Sequence, residues 1–369
     1  MSEVARLLDM VDQFFGDIEF ACTFGPYAKE FRVRQTDLVD NTLAESLHTV
    51  ESIISSESDK TDNESLSLEL GDLARKLRAA RAGVAEFLDL GQDGHVYWVE
   101  KAGHDGGIIS LNGAPVNVAE LLKDILFAPG RPCVLTSATL GTGDEGLSYF
   151  RRRVGGTDAV AEKIGSPFDY RRQMKLYLVR RMPAPNESGF EDALVHWIGH
   201  FIQETQGRAF VLFTSYRLLR SVADRMENFF DREGITLLTQ GSGMPRHQLI
   251  EEFKEDTHSV LFGTDSFWTG VDVPGEALSN VIITRLPFAV PDHPLTAARL
   301  EEIESRGGNS FMEYSVPEAI LKLRQGIGRL IRSGRDKGIA VILDNRVLTK
   351  QYGRAFLAAL PECPREVVG

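Results

Sequence analysis

Near the carboxyl end of the sequence, one amide and two guanidinium side chains recur every three or four residues. They are Gln325, Arg329 and Arg332, in the stretch Gln-Gly-Ile-Gly-Arg-Leu-Ile-Arg. Apolar residues before them follow a helical period, which predicts a helix carrying these three polar side chains on one face. Arginine binds phosphate oxygens through paired hydrogen bonds and stays charged, so this face suits a polyphosphate.

Two glycines, Gly326 and Gly328, interrupt the predicted helix. Each costs a helix about 1 kcal/mol relative to alanine, which predicts that the backbone passes close to another group there. An arginine beside such a contact can stabilise charge that develops during phosphoryl transfer. The alternative from these residues alone is an amphipathic helix with solvated arginines.

The composition is that of a globular protein with more than one domain. The chain has 369 residues, of which 43% are hydrophobic and 25% charged, enough for two or three domains. No apolar run approaches the roughly 20 residues that span a bilayer, and Met1 is not followed by the pattern of a signal peptide. We therefore expect a cytoplasmic protein with no membrane partner.

The three cysteines, Cys22, Cys133 and Cys363, lie far apart in the sequence. Their spacing matches neither a metal site nor a disulfide framework, and it fits a reducing cytoplasm. We therefore expect no metal ligands in this chain, and the chain gives no support for an iron–sulfur cluster.

Charge is distributed unevenly. Residues 1–130 contain 11 Lys and Arg against 23 Asp and Glu, whereas the net charge of the whole chain is −12. The acidic excess therefore lies in the first third, where we interpret it as a solvated surface. The remaining residues are neutral in total, which argues against a protein that coats nucleic acid through net charge.

The predicted secondary structure that positions these polar residues begins with helices in the first quarter of the chain. Helical periodicity covers most of residues 1–92, with a polar loop predicted at 55–63. Alternating residues at 95–100 and an apolar run at 106–111 predict two strands, and 118–127 predicts a short helix.

Residues 132–140 predict a buried strand that ends in small hydroxyl residues, among them Ser137 and Thr139. Ligands of open α/β sheets bind at the carboxyl ends of strands, so these two hydroxyls are candidates for a site. An ordinary Ser/Thr turn at the end of a strand is the alternative.

Beyond Pro167 the chain alternates strands and helices. Near-continuous apolar strands separated by helices predict a parallel sheet covered on both faces. Loops at 214–216, 263–272 and 344–346 would then share one edge of this sheet. The predicted strands are 174–179, 208–213, 235–238, 259–262, 280–284 and 338–343.

Four segments taken together resemble motifs III to VI of superfamily 2 helicases, in the form found in the DinG/XPD-like branch. They are Thr-Ser-Ala-Thr at 136–139, Phe-Thr-Ser-Tyr at 213–216, Gly-Thr-Asp-Ser-Phe-Trp-Thr-Gly-Val-Asp at 263–272, and the stretch at 325–332. Connecting stretches at 165–170 and 285–288 resemble that branch as well. The resemblance covers roughly residues 95–369, and residues 1–92 resemble part of the helical arch of that family.

The resemblance implies an α/β fold: a RecA-like parallel sheet with helices on both faces, preceded by an α-helical arch-like segment. It implies an arch-like segment at 1–92, the tail of a first motor domain at 93–165 and a second motor domain at 166–369. It also implies an ATP-dependent DNA helicase that moves on single-stranded DNA and unwinds duplexes.

Roles follow by position from the same resemblance. Arg329 and Arg332 would contact the γ-phosphate of ATP, with Gln325 beside them, and Gly270 and Asp272 would lie on the nucleotide side. The remaining implied roles are contacts to the DNA backbone by Thr214, Ser215, Tyr216 and Thr264, and coupling of nucleotide state to DNA binding by Ser137 and Thr139.

The sequence departs from the family in one respect. It contains no Gly-Lys pair and no Asp-Glu-Ala-His box, which in the family supply the phosphate-binding lysine and the Mg²⁺-binding carboxylates. We therefore expect the C-terminal motor portion of a helicase, which needs the N-terminal motor half as a partner to use ATP with Mg²⁺. The alternative is a stand-alone module, derived from a helicase C-terminal domain, that binds nucleic acid or a protein partner.

Overall fold

The computed structural model describes residues 2–25, 28–103, 107–128, 132–144, 146–268, 270, 273 and 277–369. Its helices are α1 (Glu3–Ala21), α2 (Ala44–Lys60), α3 (Glu64–Asp89), α4 (Ala119–Leu126), α5 (Ser148–Arg153), α6 (Tyr170–Gln173), α7 (Phe190–Thr205), α8 (Tyr216–Glu233), α9 (Arg246–Glu255), α10 (Asp265–Trp268), α11 (Pro294–Ser305), α12 (Val316–Ile327), α13 (Arg346–Thr349) and α14 (Gly353–Ala359), with a π-helical turn at Phe311–Ser315. Its strands are β1 (Glu30–Val33), β2 (His95–Ala102), β3 (Ile108–Pro115), β4 (Met174–Val179), β5 (Ala209–Leu212), β6 (Thr236–Thr239), β7 (Ser259–Gly263), β8 (Asn280–Ile283), β9 (Gly338–Ile342) and β10 (Arg365–Val368).

The chain forms two compact units. The first contains Met1–Val118 and Val290–Gly308, and the second contains Ala119–Ala289 and Asn309–Gly369. This division by compactness differs from the predicted boundaries after residues 92 and 165. The assignment of 93–165 to a first motor domain stays a prediction. None of the helices within the described ranges combines the length and the apolar character that crossing a membrane requires.

The first unit combines helices with a small sheet. Strands β1, β2 and β3 pair antiparallel in that order, and α1, α2 and α3 contribute Phe14, Val50 and Phe87 to a core that also contains Val99 of β2. Helix α11 joins this unit from far along the chain. Its Glu301 forms ion pairs with Arg32 at 2.8 Å and with Arg34 at 2.6 Å.

Two details of the N-terminal prediction were wrong. Strand β1 was not predicted, because its four residues pair with β2 across a long stretch of chain and carry no period of their own. The predicted loop at 55–63 is helical through Lys60. There the hydroxyl of Ser58 donates to the carbonyl of Ser67 on α3 at 2.9 Å, so the packing of the two helices overrides the polar composition.

The second unit is built on seven described strands in the order β10-β4-β9-β8-β5-β7-β6. Every neighbouring pair is parallel. Successive residues of β5 point to opposite faces, so that Phe210 and Leu212 join one core and Ala209 and Val211 join the other. The predicted RecA-like α/β fold is therefore confirmed, with helices on both faces.

The helices divide between these two cores. Leu194 of α7 and Val222 of α8 pack in one core, whereas Phe253 of α9 and Leu323 of α12 pack in the other. Strand β10 was not predicted, because its four residues follow a proline and lie at the edge of the sheet, beside β4. Since all the strands run in one direction, the loops that follow them lie along one edge, which we call the carboxyl edge.

The predicted buried strand at 132–140 is not formed. These residues adopt no regular structure, and 83% of Val134 and 41% of Leu135 are exposed. A strand needs a neighbour that accepts and donates its backbone hydrogen bonds, and no described strand pairs with this segment. The neighbouring helix α4 does form, but Leu121 and Ile125 on it are each 55% exposed.

We expect the backbone amides of 132–140 to exchange with solvent at least about 10³-fold faster than those of β5 and β9. The central strands open only with the domain, whose free energy of unfolding is typically about 5 kcal/mol or more. Hydrogen exchange followed by mass spectrometry measures both regions in one sample. Similar protection of the two regions would contradict the exposed, unpaired state of 132–140.

Candidate nucleotide and nucleic-acid site

Helix α12 ends earlier than the sequence predicted. It closes at Ile327 with Gly328 as its C-cap, so that Gln325 is helical while Arg329 lies in the following turn and Arg332 lies beyond it. A β-carbon at Gly328 would lie 2.8 Å from the carbonyl oxygen of Arg324, too close for any other residue. The prediction that the two arginines share a helix face with Gln325 is therefore wrong.

Gly326 marks a close approach, as predicted, but the approaching group belongs to the protein core. A β-carbon there would lie 3.1 Å from both Leu212 and the ring of Trp268. Trp268 is completely buried, and its indole N–H donates to the carbonyl of Phe213 at 2.9 Å. One side chain therefore connects the loop after β5, the loop after β7 and helix α12.

Arg329 is buried and bonded to the backbone. It is 4% exposed, and its guanidinium donates to the carbonyl of Phe267. Burial lowers the pKa of Arg329 to about 9, and the positive charges of Arg332 and Arg246 add to this effect. A buried cation close to two further cations favours a negatively charged ligand nearby.

Arg332 is exposed, and the loop that carries it is firmly held. Its backbone N–H donates to the carboxylate of Asp336 at 2.8 Å, as does the N–H of Ser333. Gln173, which is buried, donates its amide to the carbonyls of Ser333 at 2.8 Å and Asp336 at 2.9 Å. The loop is therefore ordered while the guanidinium remains at the surface.

A cavity of about 1380 Å³ in the second unit collects most of the residues predicted for the nucleotide side. It is larger than the roughly 300–1,000 Å³ usual for small-molecule sites. Arg324, which the sequence analysis missed, also lines it and donates from α12 to the carbonyl of Gly141. The predicted residues on its wall are Ser137, Thr139, Gly270, Gln325, Arg329 and Arg332.

Gly270 has a positive φ of 65°, which favours glycine, and its carbonyl accepts from Arg246 at 2.8 Å. Asp272, predicted beside it, lies outside the described residues. Ser137 accepts a hydrogen bond from the N–H of Thr139 at 3.2 Å, so these two residues form a local turn.

The residues predicted to contact DNA form a separate group on the carboxyl edge. Ser215 caps α8 and accepts from the N–H of Leu218 at 3.3 Å. Thr214 is half-buried and Tyr216 is 46% exposed. Thr264 is only 4% exposed, and both its N–H and its hydroxyl donate to the side-chain oxygen of Gln240, at 2.7 and 3.0 Å.

Gln240 is the residue of this group that the sequence analysis missed. Its amide nitrogen donates to the hydroxyls of Tyr216 and Ser266, the latter at 2.9 Å. The side chain therefore connects the loop after β5 with the loop after β7. It directly follows β6, and the rule that directs attention to strand ends could have identified it.

Within the described ranges, no group of three or more His, Cys, Asp or Glu side chains could hold a metal ion. The three cysteines are free thiols, and Cys133 is the exposed one among them.

The second unit has a parallel sheet covered on both faces, hydroxyl side chains along its carboxyl edge, and two arginines between α12 and β9. This is a RecA-like α/β domain. Residues 198–363 match the helicase C-terminal domain family. The chain is 38% identical over 285 residues to the ATP-dependent DNA helicase YoaA of Escherichia coli (strain K12), across 77% of this chain and 44% of that protein. The chain is therefore similar to the DinG-like helicases, as the sequence motifs predicted, and residues 198–363 match a helicase C-terminal domain.

A second bacterial relative and a solved structure are similar to this chain as well. The chain is 40% identical over 276 residues to the 3′-5′ exonuclease DinG of Bacillus subtilis (strain 168), across 73% of this chain and 30% of that protein. A solved XPD helicase shares the fold with a TM-score of 0.62 at 12% identity, over 98% of this chain and 62% of that one. The chain spans less than half the length of these two bacterial relatives.

We expect Trp268→Phe to lower the free energy of unfolding by about 2–4 kcal/mol. The change removes the donor to the Phe213 carbonyl and opens a small cavity in the core. Trp197→Phe is the matched control, because Trp197 is half-buried on α7 and packs against the ring of Phe201. Urea unfolding followed by circular dichroism compares the two variants, and equal losses would contradict a special role for Trp268.

Proposed function

We propose that this chain is the second motor domain, with an adjoining arch-like unit, of an ATP-dependent helicase that moves on single-stranded DNA. The observation that carries the proposal is the cavity on whose wall residues of motifs III, V and VI meet. These residues are up to 195 positions apart in the sequence, from Ser137 to Arg332. The relatives named as helicases support the same conclusion.

On the nucleotide side, Arg332 is the residue we assign to the γ-phosphate of ATP. Its guanidinium is exposed beside the cavity, while its backbone is fixed by Asp336. Arg329 lies deeper and bonds to the carbonyl of Phe267. We therefore propose that Arg329 transmits the presence of an anionic ligand to the loop after β7, through its hydrogen bond to Phe267. Gln325, Gly270 and Asp272 complete this side of the proposed site.

On the DNA side, we propose that Thr214, Ser215, Tyr216 and Thr264 form a surface for the phosphate backbone of one strand. Hydroxyl groups and backbone N–H groups contact nucleic-acid phosphates without adding net charge, which fits the neutral balance of this part of the chain. Ser215 and Thr264 already have intramolecular partners. Their contribution is therefore to shape the loops from which Tyr216 reaches the surface.

The proposed hydrolysis also needs a phosphate-binding lysine and carboxylates that bind Mg²⁺. We propose that an N-terminal motor half contributes the lysine of the phosphate loop and the carboxylates that hold Mg²⁺, and that Ser137 and Thr139 couple the two sites. ATP supplies the energy for movement when it is bound between the halves. A cytoplasmic location stays a prediction.

We expect Arg332→Ala to lower kcat for DNA-stimulated ATP hydrolysis by about 10³-fold or more, the lower end of what an arginine finger contributes. The measurement uses the polypeptide in which this chain is joined to its first motor domain. ATP affinity should change far less, because the charge that Arg332 would stabilise develops mainly in the transition state.

Arg335→Ala is the matched control for this experiment. Arg335 lies in the same loop and is also exposed, but it does not line the cavity. It should retain normal turnover. Normal turnover by the Arg332 variant as well would remove Arg332 from the proposed catalytic site.

A further inference from the structure

A second cavity, of about 590 Å³, lies in the second unit and shares no lining residue with the cavity that Arg329 and Arg332 line. Its wall carries three basic side chains, Arg285, Arg346 and Lys350, and one acidic side chain, Glu187. We call this cavity the basic pocket.

The topology of the sheet explains how these residues meet. Arg285 follows β8, Arg346 follows β9, and Glu187 lies in the segment after β4. Strand β9 lies between β4 and β8 in the sheet. The carboxyl ends of three adjacent parallel strands therefore form the pocket, in the position where open α/β sheets bind ligands.

Arg285 is held in place but is incompletely bonded. Its guanidinium donates to the carbonyl of Pro185 and lies 4.8 Å from the ring centre of Phe190. Its Nε is buried and has no hydrogen-bond partner among the residues that the structure describes. Burial lowers the pKa of Arg285, and the charge of Arg346 lowers it further, against the opposing effects of Asp344 and Glu191.

The carboxylate of Asp344 orients the guanidinium of Arg346. Asp344 is completely buried and accepts from Nε of Arg346 at 2.9 Å and from its Nη2 at 2.6 Å. The same carboxylate accepts from the N–H of Leu286 at 2.8 Å, which fixes the backbone beside Arg285. A single buried carboxylate therefore positions both arginine-bearing loops.

The remaining charges leave the pocket positive. Asp344 balances the charge of Arg346, so that Arg285 and Lys350 face only Glu187 among the acidic residues of the wall. Glu187 is itself engaged, because its carboxylate accepts from the N–H of Ala184 at 2.8 Å. Two cations beside one anion suit a ligand that is anionic and rich in acceptor oxygens.

We propose that the basic pocket binds a phosphate group and, resting on the proposed function, that this group is a backbone phosphate of single-stranded DNA. Strand β9 lies two strands from β5, a distance of about 10 Å at the usual strand spacing. Tyr216 begins α8, directly after the loop that follows β5. One nucleic-acid strand that crosses the carboxyl edge would meet the neutral hydroxyls first and the basic pocket next.

The first arm of the test uses inorganic phosphate alone and does not depend on DNA binding. We expect phosphate to shift the Nε–Hε resonance of Arg285 in NMR spectra of the chain, and to bind about tenfold more weakly to Lys350→Gln. Arg354→Gln removes one exposed positive charge from α14, outside the pocket, and should leave phosphate binding unchanged.

The second arm measures binding of a labelled oligothymidylate as a function of salt concentration. Loss of one phosphate contact should reduce the slope of log affinity against log salt by about 0.7 for a single strand. We expect this reduction for Arg285→Gln and for Lys350→Gln, and an unchanged slope for Arg354→Gln. Glu187→Gln should strengthen binding in both arms, because it removes the one opposing charge.

The two arms separate the sources of the phosphate. Changes in both arms support a DNA phosphate in the pocket. If the variants change the binding of inorganic phosphate but not the salt dependence of DNA binding, the pocket binds a free anion. The assignment to a DNA phosphate is then overturned. Unchanged behaviour in both arms overturns the site itself. Arg285 packs on Phe190, so if its variant unfolds, the exposed Lys350 and the Glu187 variant still decide the outcome.

Discussion

The arrangement of the second unit depends on the burial of Trp268, the last residue of the short helix α10 that follows β7. Its indole N–H is bonded to the carbonyl of Phe213, and its ring fills the space that Gly326 leaves open on α12. A buried indole without this acceptor would cost about 1–3 kcal/mol, so the three segments are specified together. The carboxyl edge thereby acquires one defined geometry.

The residues next to Trp268 extend this geometry to both proposed sites. Arg329 bonds to the carbonyl of Phe267 from the nucleotide side, and Gln240 bonds to Thr264 from the DNA side. The segment after β7 is therefore held by polar contacts at Thr264 and Phe267 and by the buried ring of Trp268. Under the proposed function, a change of ligand at Arg329 reaches the DNA surface through only a few bonded residues.

The sequence predicted what depends on local pattern. Apolar strands such as β5 and β8 were predicted, because full burial leaves a continuous apolar run. The exact end of α12 was not, because Gly328 is compatible with either continuing or closing the helix. The segment 132–140 has the composition of a strand but has no described neighbour to pair with. The basic pocket could not be predicted, since Arg285 and Lys350 meet only through the order of the strands.

The central claim is that the carboxyl edge of the sheet is the nucleic-acid surface of this unit. Hydrogen exchange of the chain with and without a short oligothymidylate tests it most directly. Binding should slow exchange in the loops after β5 and β6, around Tyr216 and Gln240, and leave the loops before these strands unchanged. Slowed exchange confined to the loops before the strands, near Gln206 and Gly234, would contradict the account.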